Sequence, residues 1–339
     1  MAIGSLQDVN TLFERFKKLN ILIIGDVMID SYLWGRVERI SPEAPVPIVA
    51  VNKRASRLGG AANVALNVKA LGARPLLCSV IGNDDKADTF QRLLKENNMY
   101  EGGIYRSDNR ITTTKFRVIG NNAQMLRVDE EMEHPLIDSD RQAFEKLLTS
   151  IFEQEQIDAV IFQDYDKGVI TPALITAVRD MAAQKNIPVA IDPKRRNFDQ
   201  YRHLTLFKPN LKELRDGLGI DFLKNDLDML RKAVRTLHEK QQLEIILSTL
   251  SDEGVFISRK NNDGTYTDLH IPAHLRSIAD VSGAGDTVVS MATLCLALGL
   301  PDYDIAALSN LAGGQVCESV GVVPVDRDKL IREIVGLGL

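Results

Sequence analysis

The amino-acid sequence predicts an α/β fold in three layers, with helices on both faces of a mostly parallel central sheet and a small β-sheet lid. Short, continuous apolar runs recur along the chain, and helical patterns separate them. Two stretches of alternating polarity, at residues 31–54 and 111–128, break that rhythm and supply the lid. At 339 residues, with no internal repeat, the chain reads as a single domain over residues 1–339.

Glu14, Arg15, Lys17 and Lys18 mark the polar face of an N-terminal amphipathic helix. Asn20-Ile21-Leu22-Ile23-Ile24-Gly25-Asp26 is apolar without alternation, as expected of a strand buried on both faces. The first lid segment, Ser31 to Arg54, carries Pro42, Pro45 and Pro47. A helix over Ala61 to Leu71, a strand over Pro75 to Ile81 and a helix over Lys86 to Glu96 follow. In the second lid segment, Thr112 to Val118 and Gln124 to Val128 flank Gly120-Asn121-Asn122, a hairpin signal. Helices over Asp140–Gln154, Thr171–Gln184 and Leu227–Lys240 then alternate with strands over Ile157–Phe162, Ile187–Ile191 and Leu243–Ser248. This order demands βαβ units and parallel pairing. After Ser282 the pattern is helical, through Ala284–Leu298, Ile305–Glu318 and Asp326–Val335. A lid sheet of alternating polarity has edges and an apolar face that need cover, so we expect a homodimer through the lid. Tyr32 and Trp34 belong to that interface or to a contact between lid and core.

Lys and Arg number 41 against 46 Asp and Glu, a net charge of −5, so no global positive field favours nucleic acid or an anionic membrane. An anionic ligand must find a local cluster. No apolar run reaches the ~20 residues of a membrane-spanning helix. Residues 1–8 lack the basic and apolar regions of a signal peptide, and we expect a cytoplasmic protein. Cys78, Cys295 and Cys317 are scattered in apolar segments and read as buried, inert thiols. GxxxxGK[ST], GxSxG and HExxH are absent, which excludes P-loop NTPases, α/β-hydrolases and zincins. The five histidines show no metal spacing.

Asp280-Val281-Ser282-Gly283-Ala284-Gly285-Asp286-Thr287 opens a long helix with two glycines around one alanine, which bares the first backbone N–H groups. Such a helix start binds anions. Asp286 in its first turn stands where a carboxylate takes a proton from an attacking hydroxyl, although it reads equally as a helix start favouring the dipole. Gly59-Gly60-Ala61-Ala62-Asn63 offers close backbone approach and, in Asn63, a partner for a sugar hydroxyl; a tight turn with close helix packing explains it as well. Asp26 and Asp30 follow the first strand, and Asp164-Tyr165-Asp166-Lys167-Gly168 and Asp192-Pro193-Lys194-Arg195-Arg196 end two others. Each alone reads as a polar loop, but in an open α/β sheet they converge on the crevice at the strands' carboxyl ends. Asn210 and Glu213, in a helix that Pro209 helps to start, suit either a hydrated Mg²⁺ or a capping box.

Taken together, these segments resemble the PfkB, or ribokinase-like, carbohydrate kinases from about Asn20 to the C-terminus. Gly59 to Asn63 and Asp280 to Asp286 match that family's two signatures, with Val281 where the pattern has Thr. The resemblance implies a ribokinase-like fold and an ATP- and Mg²⁺-dependent sugar kinase. In that reading Gly283, Ala284 and Gly285 cradle phosphate and Asp286 is the base. It assigns Asp26, Gly60 and Asn63 to sugar hydroxyls, and Asp30, Gly59 and Asp164 beside them are further candidates for the substrate. It assigns Thr249, Ser251, Gly254 and Asn310 to the nucleotide, and Asn210 and Glu213 to Mg²⁺ through water.

Within the family, Arg39-Ile40-Ser41-Pro42-Glu43-Ala44-Pro45-Val46-Pro47, Thr113 to Val118 and Asp164 to Gly168 are most similar to the kinases that phosphorylate D-glycero-D-manno-heptose 7-phosphate at C1 in ADP-heptose synthesis. The resemblance covers the kinase half alone, since no HxGH-type adenylyltransferase site follows. The alternatives are a kinase of another sugar or nucleoside and a catalytically silent sensor on the same fold. A sugar 7-phosphate needs local cations, for which the candidates are Lys115, Arg117, Arg127, Lys167, Lys194 and Arg195.

Overall fold

The computed structural model describes residues 6–121 and 123–338, so the readings that fall on residues 1–5 and on Asn122 lie outside the described residues. The amphipathic α1 (Leu6–Phe16) leads into β1 (Asn20–Gly25). The chain then makes a long excursion through β2 (Val27–Ile40) and β3 (Pro47–Gly60) and returns by α2 (Ala61–Ala70) to β4 (Arg74–Gly82). Next come α3 (Asp85–Glu96), β5 (Ile104–Ser107), and the hairpin of β6 (Thr114–Gly120) and β7 (Ala123–Glu130). The second half runs α4 (Asp138–Gln154), β8 (Ala159–Gln163), α5 (Pro172–Gln184), β9 (Val189–Asp192), β10 (Leu206–Phe207), α6 (Leu211–Leu218) and α7 (Leu227–Gln241). It closes with β11 (Ile245–Thr249), β12 (Val255–Lys260), β13 (Tyr266–Ile271), α8 (Ala284–Ala297), α9 (Asp302–Val316) and α10 (Arg327–Leu337).

Nine strands form the central sheet in the order β13-β12-β11-β10-β9-β8-β1-β4-β5. All neighbours are parallel except β11 with β12 and β12 with β13. Burial explains the apolar run of β1: Ile21 and Ile23 enter one core with α1, α2, α8, α9 and α10, and Leu22 and Ile24 enter the other with α4, α5 and α7. From adjacent β1 and β8 the chain builds outward in opposite directions, which makes their carboxyl ends the switch point where α/β sheets bind ligands.

The smaller sheet has the order β3-β2-β6-β7. It is longer than the alternating segments at 31–54 and 111–128, because β2 starts at Val27 with only Asp26 separating it from β1. Val27, Met28 and Ile29 are buried, so this half reads as core while the far half, exposed, alternates. Asn121 closes the hairpin with φ 50° and bonds both backbone groups of Val37. Helix α6 starts at Leu211 with Asn210 as its N-cap, so Pro209 precedes the cap instead of occupying the first turn. The three cysteines are buried and unpaired.

Candidate active site

Gly283, with φ +84°, turns the chain into α8 without a side-chain cap. Among the described residues the N–H groups of Gly285 and Asp286 have no backbone acceptor, so this helix start fits a phosphate. The Asp286 carboxylate, 5% exposed, sits at the switch point among three donors. Asn63 Nδ2 donates to its Oδ2 at 2.7 Å, and Tyr165 Oη and Gln163 Nε2 donate to its Oδ1 at 2.7 and 3.2 Å. Burial pushes the Asp286 carboxyl up to about 6; the Asn63 hydrogen bond opposes this, and the Asp192 charge adds to it. A carboxyl poised there is ionised at neutral pH yet basic enough to accept a hydroxyl proton.

Three residues of this cluster, Gln163, Tyr165 and Lys208, had no assigned role from sequence. Gln163 ends β8, and its single amide nitrogen bridges Asp286 and Asp192, 3.2 Å from each. Lys208, 2% exposed, pairs with Asp192 Oδ1 at 3.0 Å. Its Nζ lies 3.5 Å from where a Cβ on Gly285 would sit, so a buried cation flanks the open helix start. Gly285 keeps that approach clear.

Asp26 and Asp30 do not act as a pair. The Asp26 carboxylate accepts the N–H groups of Tyr165, Lys167 and Val169 at 2.9, 3.1 and 3.0 Å and so pins the loop after β8. Burial, then the charge of Asp164, pushes the Asp26 carboxyl up to about 6. Asp164 is also engaged, accepting from Asp166 N within that loop and from Asn197 Nδ2 and Tyr201 Oη beyond β9. Asp30 turns the other way, into the lid, where Arg117 donates to it. Gly59 packs against the Asp30 carboxylate, and Gly60 is the N-cap of α2, which brings Asn63 to Asp286.

Most of the predicted phosphate-binding cations are already matched by carboxylates. Lys115 meets Asp129 and Glu131, each at 2.9 Å; Arg127 meets Asp129 at 3.0 Å; Lys167 meets Glu131 and Glu133 at 2.8 and 2.9 Å. Lys194 pairs with Glu213, and Arg195 is exposed. Asn210 and Glu213 form a capping box, Asn210 Oδ1 accepting Glu213 N at 2.8 Å and Glu213 Oε2 accepting Asn210 N at 2.9 Å. With both Glu213 oxygens engaged, these residues do not suit direct ligation of Mg²⁺, and no cluster of three metal-ligating side chains exists among the described residues. Thr249 ends β11 and bridges to Asn210; Ser251 (φ 59°) and Gly254 (φ 88°) shape the turn into β12; Asn310 Nδ2 holds the Pro272 carbonyl at 2.9 Å. Val281 is exposed.

The curated relatives of this chain include the bifunctional protein HldE of Syntrophotalea carbinolica, 38% identical over 323 residues, and that of Geobacter metallireducens, 37% identical over 327. The alignments cover 95% and 96% of this chain but 64% and 65% of those proteins, so it spans just under two thirds of their length. Among solved structures, phosphofructokinase-2 from Escherichia coli in complex with substrates and products superposes with a TM-score of 0.75 at 16% identity, covering 94% of this chain and 99% of that one. Arabidopsis thaliana ribokinase complexed with ribose and ATP gives 0.68 at 15% identity, covering 93% and 98%. These structures establish a ribokinase-like fold. A match to the family itself over residues 18–328 makes this protein a member of the pfkB family of carbohydrate kinases.

Proposed function

We propose that the protein phosphorylates D-glycero-β-D-manno-heptose 7-phosphate at C1, using ATP, and yields the 1,7-bisphosphate of ADP-heptose synthesis. The observation that carries the chemistry is Asp286, buried in the first turn of a helix whose Gly285 and Asp286 N–H groups meet no backbone acceptor among the described residues. In this reading the helix start and Lys208 take the charge of the transferred phosphoryl group, and Asp286 accepts the C1 hydroxyl proton as oxygen attacks in line. Asn63, Gln163 and Tyr165 hold the carboxylate in place. Mg²⁺ arriving with ATP would offset phosphate charge, with Asn210 and Glu213 in contact through water. Similarity to the HldE proteins over nearly the whole chain supports the heptose substrate. No helix among the described residues is long and apolar enough to cross a membrane, and we place the enzyme in the cytoplasm, where ATP is available.

A substrate panel with ATP tests this. The heptose 7-phosphate is expected to exceed ribose, fructose 6-phosphate, a nucleoside and unphosphorylated heptose by about 10²-fold in kcat/KM. Preference for another member reassigns the substrate within the family. Binding without turnover across the panel would make the protein a sensor.

The lid supports a homodimer. Leu126 and Val128 on β7 pair with Val118 and Phe116 on β6, on the face opposite Tyr32 and Arg117. Leu126 is 56% and Val128 44% exposed, and Ile40 and Val46 at the lid's tip are exposed too. Tyr32, buried, belongs to the contact between lid and core. Light scattering is expected to give twice the 37.6 kDa chain mass, and Leu126→Glu to shift the protein towards monomer. A wild-type monomer at micromolar concentration refutes the dimer.

A further inference from the structure

Arg57 was not singled out by any sequence motif, yet among the described residues the lid leaves it without a carboxylate partner close to Gly59 and Gly60. It lies on β3 opposite Asp30, two residues before Gly59. No carboxylate lies within 4.0 Å of its guanidinium among the described residues, where the side chain's one hydrogen bond is from Nη1 to the Val322 carbonyl at 3.3 Å. Arg117, on β6 opposite Tyr32, donates to Asp30 alone. Both guanidinium groups stack on the same ring, each 5.3 Å from the centroid of Tyr32. Arg57 therefore brings a guanidinium with no carboxylate partner among the described residues to the ring that also receives the Asp30-paired Arg117, and an anion beside them would meet forked donors.

The space beside them is built. Gly321, with φ +77°, has no side chain, and a Cβ there would lie 3.4 Å from Arg57 Nη1 and 3.5 Å from Tyr32 Oη. The Tyr32 hydroxyl makes no hydrogen bond among the described residues, although Tyr32 is 6% exposed. Burial, then the charge of Asp30, pushes its phenol up, so it remains a donor. The neighbouring Asp280 is occupied with the N–H groups of Ser282 and Gly321, at 2.9 and 3.0 Å. Through Val322, whose Cγ1 lies 3.4 Å from the Cβ position of Gly283, this gap adjoins the start of α8.

We propose that Arg57, Arg117 and the Tyr32 hydroxyl form a clamp for a phosphate group of the kinase's substrates. The inference rests on the reading of this site as that of a kinase with a phosphorylated sugar. The bound group is the non-reacting phosphate of the sugar or a phosphate of the nucleotide; both offer the oxyanion that forked guanidinium donors recognise.

Arg57→Met and Arg57→Lys, compared with wild type, test it. On the heptose 7-phosphate, Arg57→Met is expected to raise one KM by about 10–100-fold, with Arg57→Lys in between. A rise in the sugar-phosphate KM alone assigns the sugar's phosphate; a rise in the ATP KM alone assigns the nucleotide's. Inorganic phosphate is the probe that needs no substrate: its stabilisation of the wild type against heat is expected to be at least halved in Arg57→Met. If the wild type ignores heptose 7-phosphate but the phosphate effect is still lost in the variant, the substrate reading fails and the clamp stands. Unchanged KM values and an unchanged phosphate effect, in a variant whose own melting temperature matches wild type, overturn the clamp. Should Arg57→Met unfold, the same readouts on Arg57→Lys decide.

Discussion

Asp286→Asn is expected to lower kcat by about 10²–10⁴-fold and, at pH 8, to make the protein more stable than wild type. The rate loss follows from removing the carboxylate that three donors aim at the open start of α8. The stability gain follows from linkage. Burial raises the folded-state pKa of Asp286 from 3.8 to about 6, so ionising it disfavours the folded state. The associated stability is complete below the unfolded pKa and is lost as pH rises through the folded one, that is, between about 4 and 6. A neutral amide escapes that loss but gives up one of two acceptor oxygens, which leaves a net gain of about 1–2 kcal/mol at pH 8 that shrinks towards pH 4. Asp26 titrates over the same interval, but it is common to both proteins and cancels in the comparison. Urea unfolding at pH 4.5 and 8 checks the stability arm, and the pH profile of wild-type kcat/KM, falling on the acid side near pH 6, checks the base. A variant within tenfold of wild-type kcat, or one less stable at pH 8, would sink the assignment.

The parallel strands were legible because burial on both faces leaves an unbroken apolar run, as in β1 and β8. The short and the partly buried strands were not. β5 and β10 span four and two residues, and β13 is only partly buried, so neither length nor continuity marks them. For the site, the glycines around Asp286 and before Asn63 carried a local signal, because they must lie next to each other in sequence to open a helix. Gln163, Lys208 and Arg57 carried none. Their positions depend on the ends of different strands meeting, and a buried lysine has the same letter as an exposed one. The cation candidates show the converse error. Lys115, Lys167 and Lys194 look like free charges in sequence, but Glu131 serves the first two and Glu213 the third, across separations that only the fold closes.

Lys208→Ala should then be the most damaging single change to stability in the site, about 3–5 kcal/mol at pH 8. The ammonium is 2% exposed, and Asp192, its partner at 3.0 Å, has a side chain only 6% exposed. Without Lys208, the Asp192 carboxylate keeps Gln163 Nε2 as its hydrogen-bond donor and loses its one ion-pair partner within 4.0 Å among the described residues. The deficit is that of a buried charge left without its ion-pair partner. An ion pair this dry is held together more than it holds the fold together, because desolvating both charges offsets their attraction. Lys208→Met with Asp192→Leu is therefore expected to recover most of the stability that Lys208→Ala loses. The double variant should nonetheless remain impaired in kcat, since the cation beside Gly285 is gone. Urea unfolding of the three proteins at pH 5 and 8 separates the possibilities. A loss below about 1 kcal/mol in Lys208→Ala, or a double variant no more stable than the single, would show that Asp192 finds solvent or another partner and that the pair is not the buried, isolated unit its geometry describes.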